Sequence, residues 1–277
     1  MKLPKTRTLA AHERDGVPYV AFPAFEAYAF VRHGISTRLG GVSGGVWESM
    51  NLSFTRGDEE ARVKENFRRF CGAIGVRAEE VVVSAQTHGT VIYNATRADR
   101  GRGITRERGY TDVDGLVTDE PGVVLCTQYA DCVPLFFLDP IRRVVGTAHA
   151  GWRGTADGIG EVMVEKMAAD YGCRREDILC GIGPSIGRCC FEVDEPVYRE
   201  FAKLPVFDSG CGAPDGTGKY HVDLWEVNRR ILVRAGIDPA HVTVTDLCTR
   251  CHPDVFWSHR ATGGERGSLA GMIALHE

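Results

Sequence analysis

Residues 123–150 read VVLCTQYADCVPLFFLDPIRRVVGTAHA and decide the class of fold. Three runs rich in Val, Leu and Phe, at 123–127, 135–138 and 143–148, follow one another with only short loops between them. Such runs are typical of buried β-strands. No segment of helical periodicity separates them, so this stretch lacks the regular alternation of strand and helix that builds a doubly wound parallel sheet.

Strand-like apolar runs occur along the whole chain. Further strand-like runs occur at 19–22, 28–31, 81–84, 91–94, 178–182, 241–245, 255–259 and 272–275. Apolar residues at helical spacing predict three helices, the first capped by Asp58 and reaching residue 74, the second over 159–172 and the third over 224–236. We therefore expect an α+β fold of mixed β-sheets layered with outer helices in an α/β/β/α arrangement, with residues 1–277 forming a single compact domain.

Composition and charge exclude several classes of protein. Of the 277 residues, 43% are apolar and 25% are charged, as in an ordinary soluble globular protein. The longest apolar run, residues 132–138, is far shorter than the roughly 18 residues of a transmembrane helix. The first residues lack the apolar core of a signal peptide, which predicts a cytoplasmic protein. The net charge of −4 gives no support for binding nucleic acid or a membrane surface.

The chain has ten cysteines and nine histidines. Thiols in the cytoplasm stay reduced, so we expect the cysteines to be buried apolar residues, metal ligands or nucleophiles rather than a disulfide framework. The CxxC at Cys248 and Cys251 has no partner CxxC and is a weak signal. The adjacent Cys189 and Cys190 are interpreted as packing residues.

Three residues of metal-binding type follow strand-like runs. His88 follows the run at 81–84, Cys132 follows the run at 123–127, and His149 follows the run at 143–148. Imidazole and thiolate both suit Zn²⁺, and three such ligands leave a fourth position open for water or substrate, which is typical of a catalytic site. Each residue also has an ordinary explanation as a buried core residue, and the spacing matches no local zinc motif. The arginine-rich segment 98–110 is interpreted as a solvated mobile loop, with phosphate binding as the alternative.

Short motifs occurring in a fixed order resemble a known family. They are Thr37-Arg38-x-Gly40-Gly41-Val42-Ser43, Asn51-Leu52-Ser53, Gly57-Asp58, Gln86-Thr87-His88-Gly89, Ala130-Asp131-Cys132-Val133-Pro134, His149-Ala150-Gly151-Trp152-Arg153-Gly154-Thr155, Gly183-Pro184-Ser185-Ile186, Cys190-Phe191-Glu192-Val193, Cys248-Thr249 and Phe256-Trp257-Ser258-His259-Arg260. This order is similar to that of the laccase-domain proteins, once called multicopper polyphenol oxidases and now described as purine nucleoside phosphorylases with adenosine deaminase activity. The family is also known as the peptidoglycan editing factor family.

The resemblance implies both a metal site and an activity. The family's zinc ligands fall on His88, Cys132 and His149, the same residues that the strand ends select. The implied activity is zinc-dependent phosphorolysis of inosine, adenosine or guanosine to the base and ribose 1-phosphate, with adenosine deaminase and methylthioadenosine phosphorylase as additional activities. The implied partners are a purine nucleoside and phosphate. Where members of the family usually have a Gly-Arg pair, this chain has Gly267-Ser268, and Arg266 is a candidate replacement.

Further residues are candidates for contact with substrate or for catalysis. Arg38, Arg153 and Arg260 carry planar guanidinium groups that suit phosphate or carboxylate. Gln86 is expected to bind the edge of a base or to close a turn. Asp131 is expected to orient a histidine ligand, to act as a base beside the catalytic Cys132, or to cap a strand end.

Two other enzyme classes and one non-enzymatic role remain as alternatives. Cys132 as a nucleophile with a histidine base would give a cysteine hydrolase that edits peptidoglycan precursors. Copper at the same ligands would give a polyphenol oxidase, although no H-x-H pair of the kind used by trinuclear copper centres occurs among the histidines. A purely binding protein would not need an open three-ligand site.

Overall fold

Two six-stranded sheets lie at the centre of the fold, which a computed structural model describes for residues 3–277. Within that range the strands are β1 (Ala10–Arg14), β2 (Val17–Ala21), β3 (Val31–Ser36), β4 (Val81–Val83), β5 (Ile92–Asn94), β6 (Gly115–Thr118), β7 (Val124–Tyr129), β8 (Val133–Asp139), β9 (Val144–Ala150), β10 (Leu179–Ile182), β11 (Glu192–Val193), β12 (Gly212–Pro214), β13 (Tyr220–Val222), β14 (Val242–Val244) and β15 (Leu269–Leu275).

The first sheet has the order β1-β2-β3-β15-β7-β4 and the second has the order β14-β10-β8-β9-β6-β5. Most neighbours are antiparallel, but β4 runs parallel to β7, β5 to β6, and β14 to β10. A small third sheet, β11-β13-β12, lies apart from these two. Both large sheets are therefore mixed, which confirms the α+β prediction.

Seven helices complete the described fold: α1 (Pro23–Glu26), α2 (Glu60–Ile74), α3 (Trp152–Ala156), α4 (Ile159–Tyr171), α5 (Glu195–Ala202), α6 (Leu224–Arg234) and α7 (His259–Thr262). The three predicted helices are present as α2, α4 and α6. The cap of α2 was predicted wrongly: Glu59 holds the N-cap position, while the carboxylate of Asp58 accepts hydrogen bonds from Ser43 and Asn51. No helix within residues 3–277 combines the length and the apolar character needed to cross a membrane.

Alternation of side chains along the strands builds the layers. In β8, Phe136 and Leu138 lie in a core shared with the first sheet, whereas Leu135 and Phe137 face the helices. The core between the sheets includes Ile35, Leu125 and Ile273 of the first sheet, and Leu116, Phe136 and Val145 of the second. Helices α4 and α6 cover the outer face of the second sheet, and α2 covers the outer face of the first. This is the expected α/β/β/α order.

Two predicted strands need correction. Residues 255–259 form no strand; Val255, Phe256 and Trp257 are buried in the core from an irregular segment, so burial of an apolar run was mistaken for strand pairing. The run predicted at 28–31 is mostly a turn, and β3 begins only at Val31. Short or polar strands such as β1 and β12 were missed because a sheet edge does not require an apolar run.

Candidate metal centre

His88, Cys132 and His149 come together at one point. One ligand atom from each, a ring nitrogen of the histidines and the Sγ of the cysteine, lies within 4.8 Å of the others. We call this set the open cluster. His149 is buried, Cys132 is partly buried and His88 is exposed.

The open cluster lies where the chain passes between the two large sheets. Residues 130–132 join β7 of the first sheet to β8 of the second, and Cys132 is the last residue of that link. His149 lies within β9, opposite Pro134 of β8. His88 follows β4 in a left-handed conformation with φ of 68°. Strand order thus brings together residues that are distant in the sequence, although His149 lies inside β9 rather than just past its end as expected.

A buried carboxylate, Asp114, organises both histidines. Its Oδ1 lies 2.8 Å from the Nδ1 of His149 and accepts a hydrogen bond from the backbone N–H of His88 at 3.0 Å. Its Oδ2 accepts from the backbone N–H groups of Thr87 and Gly89 at 2.8 and 2.9 Å. Burial raises the pKa of Asp114, but these hydrogen bonds outweigh burial and lower it. The carboxylate therefore fixes the His149 ring and leaves its Nε2 free to bind a metal.

Gly151 makes room for the open cluster. A Cβ at this position would lie 2.7 Å from Cδ2 of His88 and 3.3 Å from Sγ of Cys132. Any side chain would therefore displace His88 or Cys132, which gives a steric reason for glycine directly after β9.

Cys132 and His149 form a strongly interacting pair. Burial raises the pKa of the Cys132 thiol, but the adjacent His149 and His88 rings outweigh burial and lower that pKa to about 6. Burial lowers the pKa of His149, but the Cys132 sulfur and the hydrogen bond to Asp114 raise it to about 9. The sulfur is therefore held as a thiolate near neutral pH, which is the form that binds metals or attacks electrophiles.

This donor set fits Zn²⁺. Two imidazoles and one thiolate are ordinary zinc ligands, and the Asp114–His149 contact is the carboxylate–histidine pairing found behind many zinc ligands. A tetrahedral ion held by these three side chains would keep one position open.

A polar cavity opens on one side of the open cluster. It measures about 640 Å³ including its mouth, and His88, Cys132 and His149 all line it. Its other lining residues include three arginines, which are Arg56, Arg108 and Arg266. Burial and the charge of Arg56 lower the pKa of Arg266, yet only to about 10, so this guanidinium stays charged at neutral pH. The Nε atoms of Arg108 and Arg266 are buried, and no hydrogen bond within the protein satisfies them.

An apolar cavity opens on the other side. It measures about 780 Å³ including its mouth and shares His88, Cys132, Arg56 and Arg266 with the polar cavity. Aromatic and aliphatic side chains dominate the rest of its wall, namely Trp152, Ile186, Phe191 and Leu224. The open cluster therefore lies at the junction of a polar cavity and a cavity with a largely aromatic and aliphatic wall, and three arginines line each cavity.

A family model described as multi-copper polyphenol oxidoreductase laccase matches residues 32–276. The chain belongs to this family. A purine nucleoside phosphorylase, YlmD of Geobacillus stearothermophilus, is 38% identical over 246 residues, which cover 88% of this chain and 90% of that protein. An adenosine deaminase, RL5 of an unknown prokaryotic organism, is 34% identical over 84% of this chain and 89% of its own length. The crystal structure of the hypothetical protein YfiH of Bacillus licheniformis superposes with a TM-score of 0.90 at 34% identity, covering 98% of both chains.

The predicted substrate residues of this laccase-family chain fall into two groups. Gln86 lines the polar cavity, although its amide already bonds to Ser84 and to the backbone of Gln128. Arg260 lines the apolar cavity, and its guanidinium donates to the carbonyl of Glu192 at 3.1 Å. Both positions are compatible with contact to a bound ligand.

Arg38 and Arg153 line neither cavity. The Arg38 guanidinium donates to the carbonyls of Glu48 and Pro253 and stacks 3.9 Å from the Trp257 ring. Arg153 is exposed and lies over the ring of Trp152. These contacts give Arg38 the role of joining loops and place Arg153 on the surface, so neither residue enters the function proposed below.

Asp131 lies in the wall of the apolar cavity in a left-handed conformation, with φ of 80°. Its carboxylate accepts hydrogen bonds from Oγ1 of Thr249 at 2.6 Å and from the backbone N–H of Arg260 at 2.7 Å. Both oxygens thus join the segment around residues 249–260 to the loop that carries Cys132. These hydrogen bonds go to neither His88 nor His149, and the carboxylate that orients a histidine ligand is Asp114 instead.

Sequence reasoning missed Asp114 and Arg56, and it favoured a solvated loop for the segment containing Arg108. Asp114 precedes a short strand that had not been predicted, so no strand-end signal marked it. Arg108 is half-buried at the polar cavity, and Arg102 of the same segment pairs with the buried Asp99. Arg266 lines both cavities, in keeping with its selection as the replacement for a missing arginine.

Proposed function

We propose that this protein is a zinc-dependent purine nucleoside phosphorylase that cleaves inosine, adenosine or guanosine with phosphate. The observation that carries the proposal is the position of the open cluster between the polar cavity and the apolar cavity, whose wall carries Trp152 and Phe191. One space suits an anion and the other suits a planar base, so the glycosidic bond of a nucleoside spanning both would lie beside the cluster. The phosphorylase relative supports this assignment.

His88, Cys132 and His149 would hold the zinc ion. An ion held by these residues would supply Lewis acidity toward an oxygen of the substrate. Asp114 keeps Nδ1 of His149 occupied, so the ring presents Nε2 to the metal, and the low pKa of Cys132 keeps the sulfur ionised. These residues prepare the site before substrate arrives.

Arg56, Arg108 and Arg266 would bind phosphate in the polar cavity. Guanidinium groups bind phosphate through paired, charge-assisted hydrogen bonds. In phosphorolysis a phosphate oxygen bonds to the ribose carbon that carries the base, the bond from that carbon to the base nitrogen breaks, and its electron pair leaves with the purine. The arginines hold the nucleophile in place and exclude competing water.

Trp152 and Phe191 would contact the purine in the apolar cavity. Aromatic side chains stack on nucleobases with a gain of about 1–3 kcal/mol per base. Ile186 and Leu224 complete an apolar surface against which a purine ring can be buried at a small cost in desolvation free energy.

Phosphate dependence is the direct test of the proposed reaction. Purified zinc-loaded protein should release hypoxanthine from inosine only when phosphate is present, with one equivalent of ribose 1-phosphate. Cys132→Ser should abolish release, and Cys173→Ser, a cysteine outside the open cluster, should leave it intact. Release that needs no phosphate, or equal activity in the Cys132→Ser protein, would refute the assignment.

Adenosine deamination is a second activity at the same site. The support for it is the deaminase relative. The chain lacks the H-x-E…P-C-x-x-C signature of the zinc nucleobase deaminases, so a different geometry would be required. Formation of inosine from adenosine without phosphate tests this activity. Release of adenine from methylthioadenosine in the presence of phosphate tests whether phosphorolysis extends to that nucleoside.

A cysteine hydrolase is the alternative that one observation favours. Cys132, His149 and Asp114 form the nucleophile, base and orienting carboxylate that such enzymes use. A metal-free protein that cleaves peptidoglycan precursors and is inactivated by thiol alkylation would support the hydrolase. Loss of activity with a chelator, and recovery with zinc, would support the phosphorylase. Copper bound by protein purified without added copper, with oxidation of phenols, would instead support a polyphenol oxidase.

A further inference from the structure

A second set of soft ligands lies outside the open cluster. Cys189 and Cys190 follow β10, and Cys248 and Cys251 follow β14. Their four Sγ atoms all lie within 4.8 Å of one another. We call this set the cysteine cluster.

We propose that the cysteine cluster binds one structural Zn²⁺ ion through four thiolates. Cys251 Sγ lies 3.6 Å from Cys189 Sγ and 3.5 Å from Cys190 Sγ. A tetrahedral zinc ion with bonds of about 2.3 Å sets its sulfurs about 3.8 Å apart. A disulfide would bring two sulfurs to about 2.05 Å, so the observed spacing matches ligands gathered around one ion. An iron–sulfur cluster would hold the four sulfurs further apart, because several iron atoms lie between them.

The surroundings of the sulfurs suit thiolates. The backbone N–H of Gly187 donates to Cys248 Sγ at 3.2 Å, and Nη1 of Arg250 lies 3.5 Å from Cys190 Sγ. Four thiolates around one Zn²⁺ carry a net charge of −2, which the guanidinium partly offsets. Cys248 is buried, while Cys189 and Cys251 are exposed, so the ion has a path from solvent. With four protein ligands no coordination position stays open, which distinguishes a structural site from a catalytic one.

The ion would join a segment in the wall of the apolar cavity to a segment that contacts the loop carrying Cys132. Ile186 and Phe191 flank Cys189 and Cys190, and both line that cavity. Thr249, between Cys248 and Cys251, bonds to the backbone of Ser185 and to the carboxylate of Asp131, next to Cys132. The zinc ion would therefore brace the surface on which the purine is proposed to lie, without touching substrate.

Zinc content of matched variants tests the cysteine cluster independently of any enzymatic activity. The full-length protein, saturated with Zn²⁺ and freed of excess ion by gel filtration, is analysed by elemental mass spectrometry. We expect two zinc ions per wild-type chain, one in Cys132→Ser, one in Cys251→Ser and two in the control Cys173→Ser. One ion in the wild type with none in Cys132→Ser, or an unchanged content in Cys251→Ser, would overturn the proposal.

X-ray absorption at the zinc edge keeps the test decisive if Cys251→Ser does not fold. In Cys132→Ser protein, whose only expected zinc is in the cysteine cluster, the spectrum should fit four sulfur neighbours at about 2.3 Å. Nitrogen or oxygen neighbours in place of sulfur would contradict the assignment. A disulfide between Cys251 and either Cys189 or Cys190, detected by mass spectrometry of freshly purified protein, would also contradict it.

Discussion

The open cluster, with two histidines and one cysteine, and the cysteine cluster, with four cysteines, differ in their ligands and in what surrounds them. The open cluster offers three ligands at the junction of two cavities, with a buried carboxylate behind one of them. The cysteine cluster offers four ligands between two loops, with N–H donors directed at its sulfurs. The comparison teaches that the number and type of the ligands, together with access to a cavity, distinguish the site proposed as catalytic from the site proposed as structural.

The largest difference between the two clusters should appear when each loses one cysteine. Cys132→Ser is expected to lower kcat/KM for inosine by at least about 1000-fold, because the metal is lost from the reacting centre. Its melting temperature should fall only by the stabilisation that the bound ion gives the folded state. Steady-state kinetics beside thermal unfolding measures both quantities. A Cys132→Ser protein within tenfold of wild-type activity would remove the catalytic role from the open cluster.

Asp114→Asn should show how much the orientation of His149 by a carboxylate contributes, because this variant keeps all three metal ligands. The amide keeps the shape of the carboxylate but loses its charge and an acceptor oxygen, so we expect zinc affinity or activity to fall by about 10–100-fold. Competition with a chelating dye gives the affinity. Asp99→Asn is a matched control, since Asp99 is also a buried carboxylate that accepts several hydrogen bonds outside the cluster. It should leave zinc affinity unchanged, and an equal loss in both variants would show that Asp114 acts only through stability.

Arg266→Gln should affect phosphate more than nucleoside. Loss of a charge-assisted hydrogen bond costs about 1.5–3 kcal/mol, which corresponds to a 10–100-fold increase in KM for phosphate. Arg38→Gln is the control, because Arg38 contacts backbone carbonyls and lines neither cavity. It should lower stability with little effect on KM. A KM for phosphate that responds to Arg38 and not to Arg266 would reverse the assignment of the two arginines.

Phe191→Leu should raise KM for the nucleoside more than KM for phosphate. Replacing an aromatic ring that stacks on a base costs about 1 kcal/mol or more, so KM for inosine should rise about fivefold while KM for phosphate stays constant. Phe207→Leu provides a control among the aromatic rings around Tyr198 and Phe201. Equal effects on both substrates would mean that the apolar cavity does not hold the base.

Cys251→Ser should have the smallest effect on catalysis. The cysteine cluster does not touch substrate, so kcat is expected to stay within about threefold of wild type. Loss of the ion should lower the free energy of unfolding by about 2 kcal/mol and the melting temperature by roughly 5 °C. Differential scanning calorimetry measures this change. A kcat reduced as strongly as in Cys132→Ser would mean that the two clusters cannot be divided into structural and catalytic sites.

The sequence allowed the open cluster to be predicted but not the cysteine cluster. His88, Cys132 and His149 each follow an apolar run, and strand order brings such positions together. Cys189-Cys190 and Cys248-x-x-Cys251 lie on irregular segments distant in the chain, so no periodic pattern indicated that they meet. The α/β/β/α layers followed from apolar runs, whereas Asp114 and Arg56 had no pattern of their own. Arg38 was selected for its side-chain chemistry, although all its hydrogen bonds in this fold go to backbone carbonyls.

The most direct test of the central claim is a zinc titration of metal-free wild-type protein, followed by release of hypoxanthine from inosine in the presence of phosphate. The account predicts that the metal-free protein is inactive and that its activity rises with the zinc bound at the open cluster. A parallel titration of Cys251→Ser protein, in which the open cluster is the only expected zinc site, measures the zinc bound there. A metal-free protein with full activity, lost on alkylation of Cys132, would contradict this prediction.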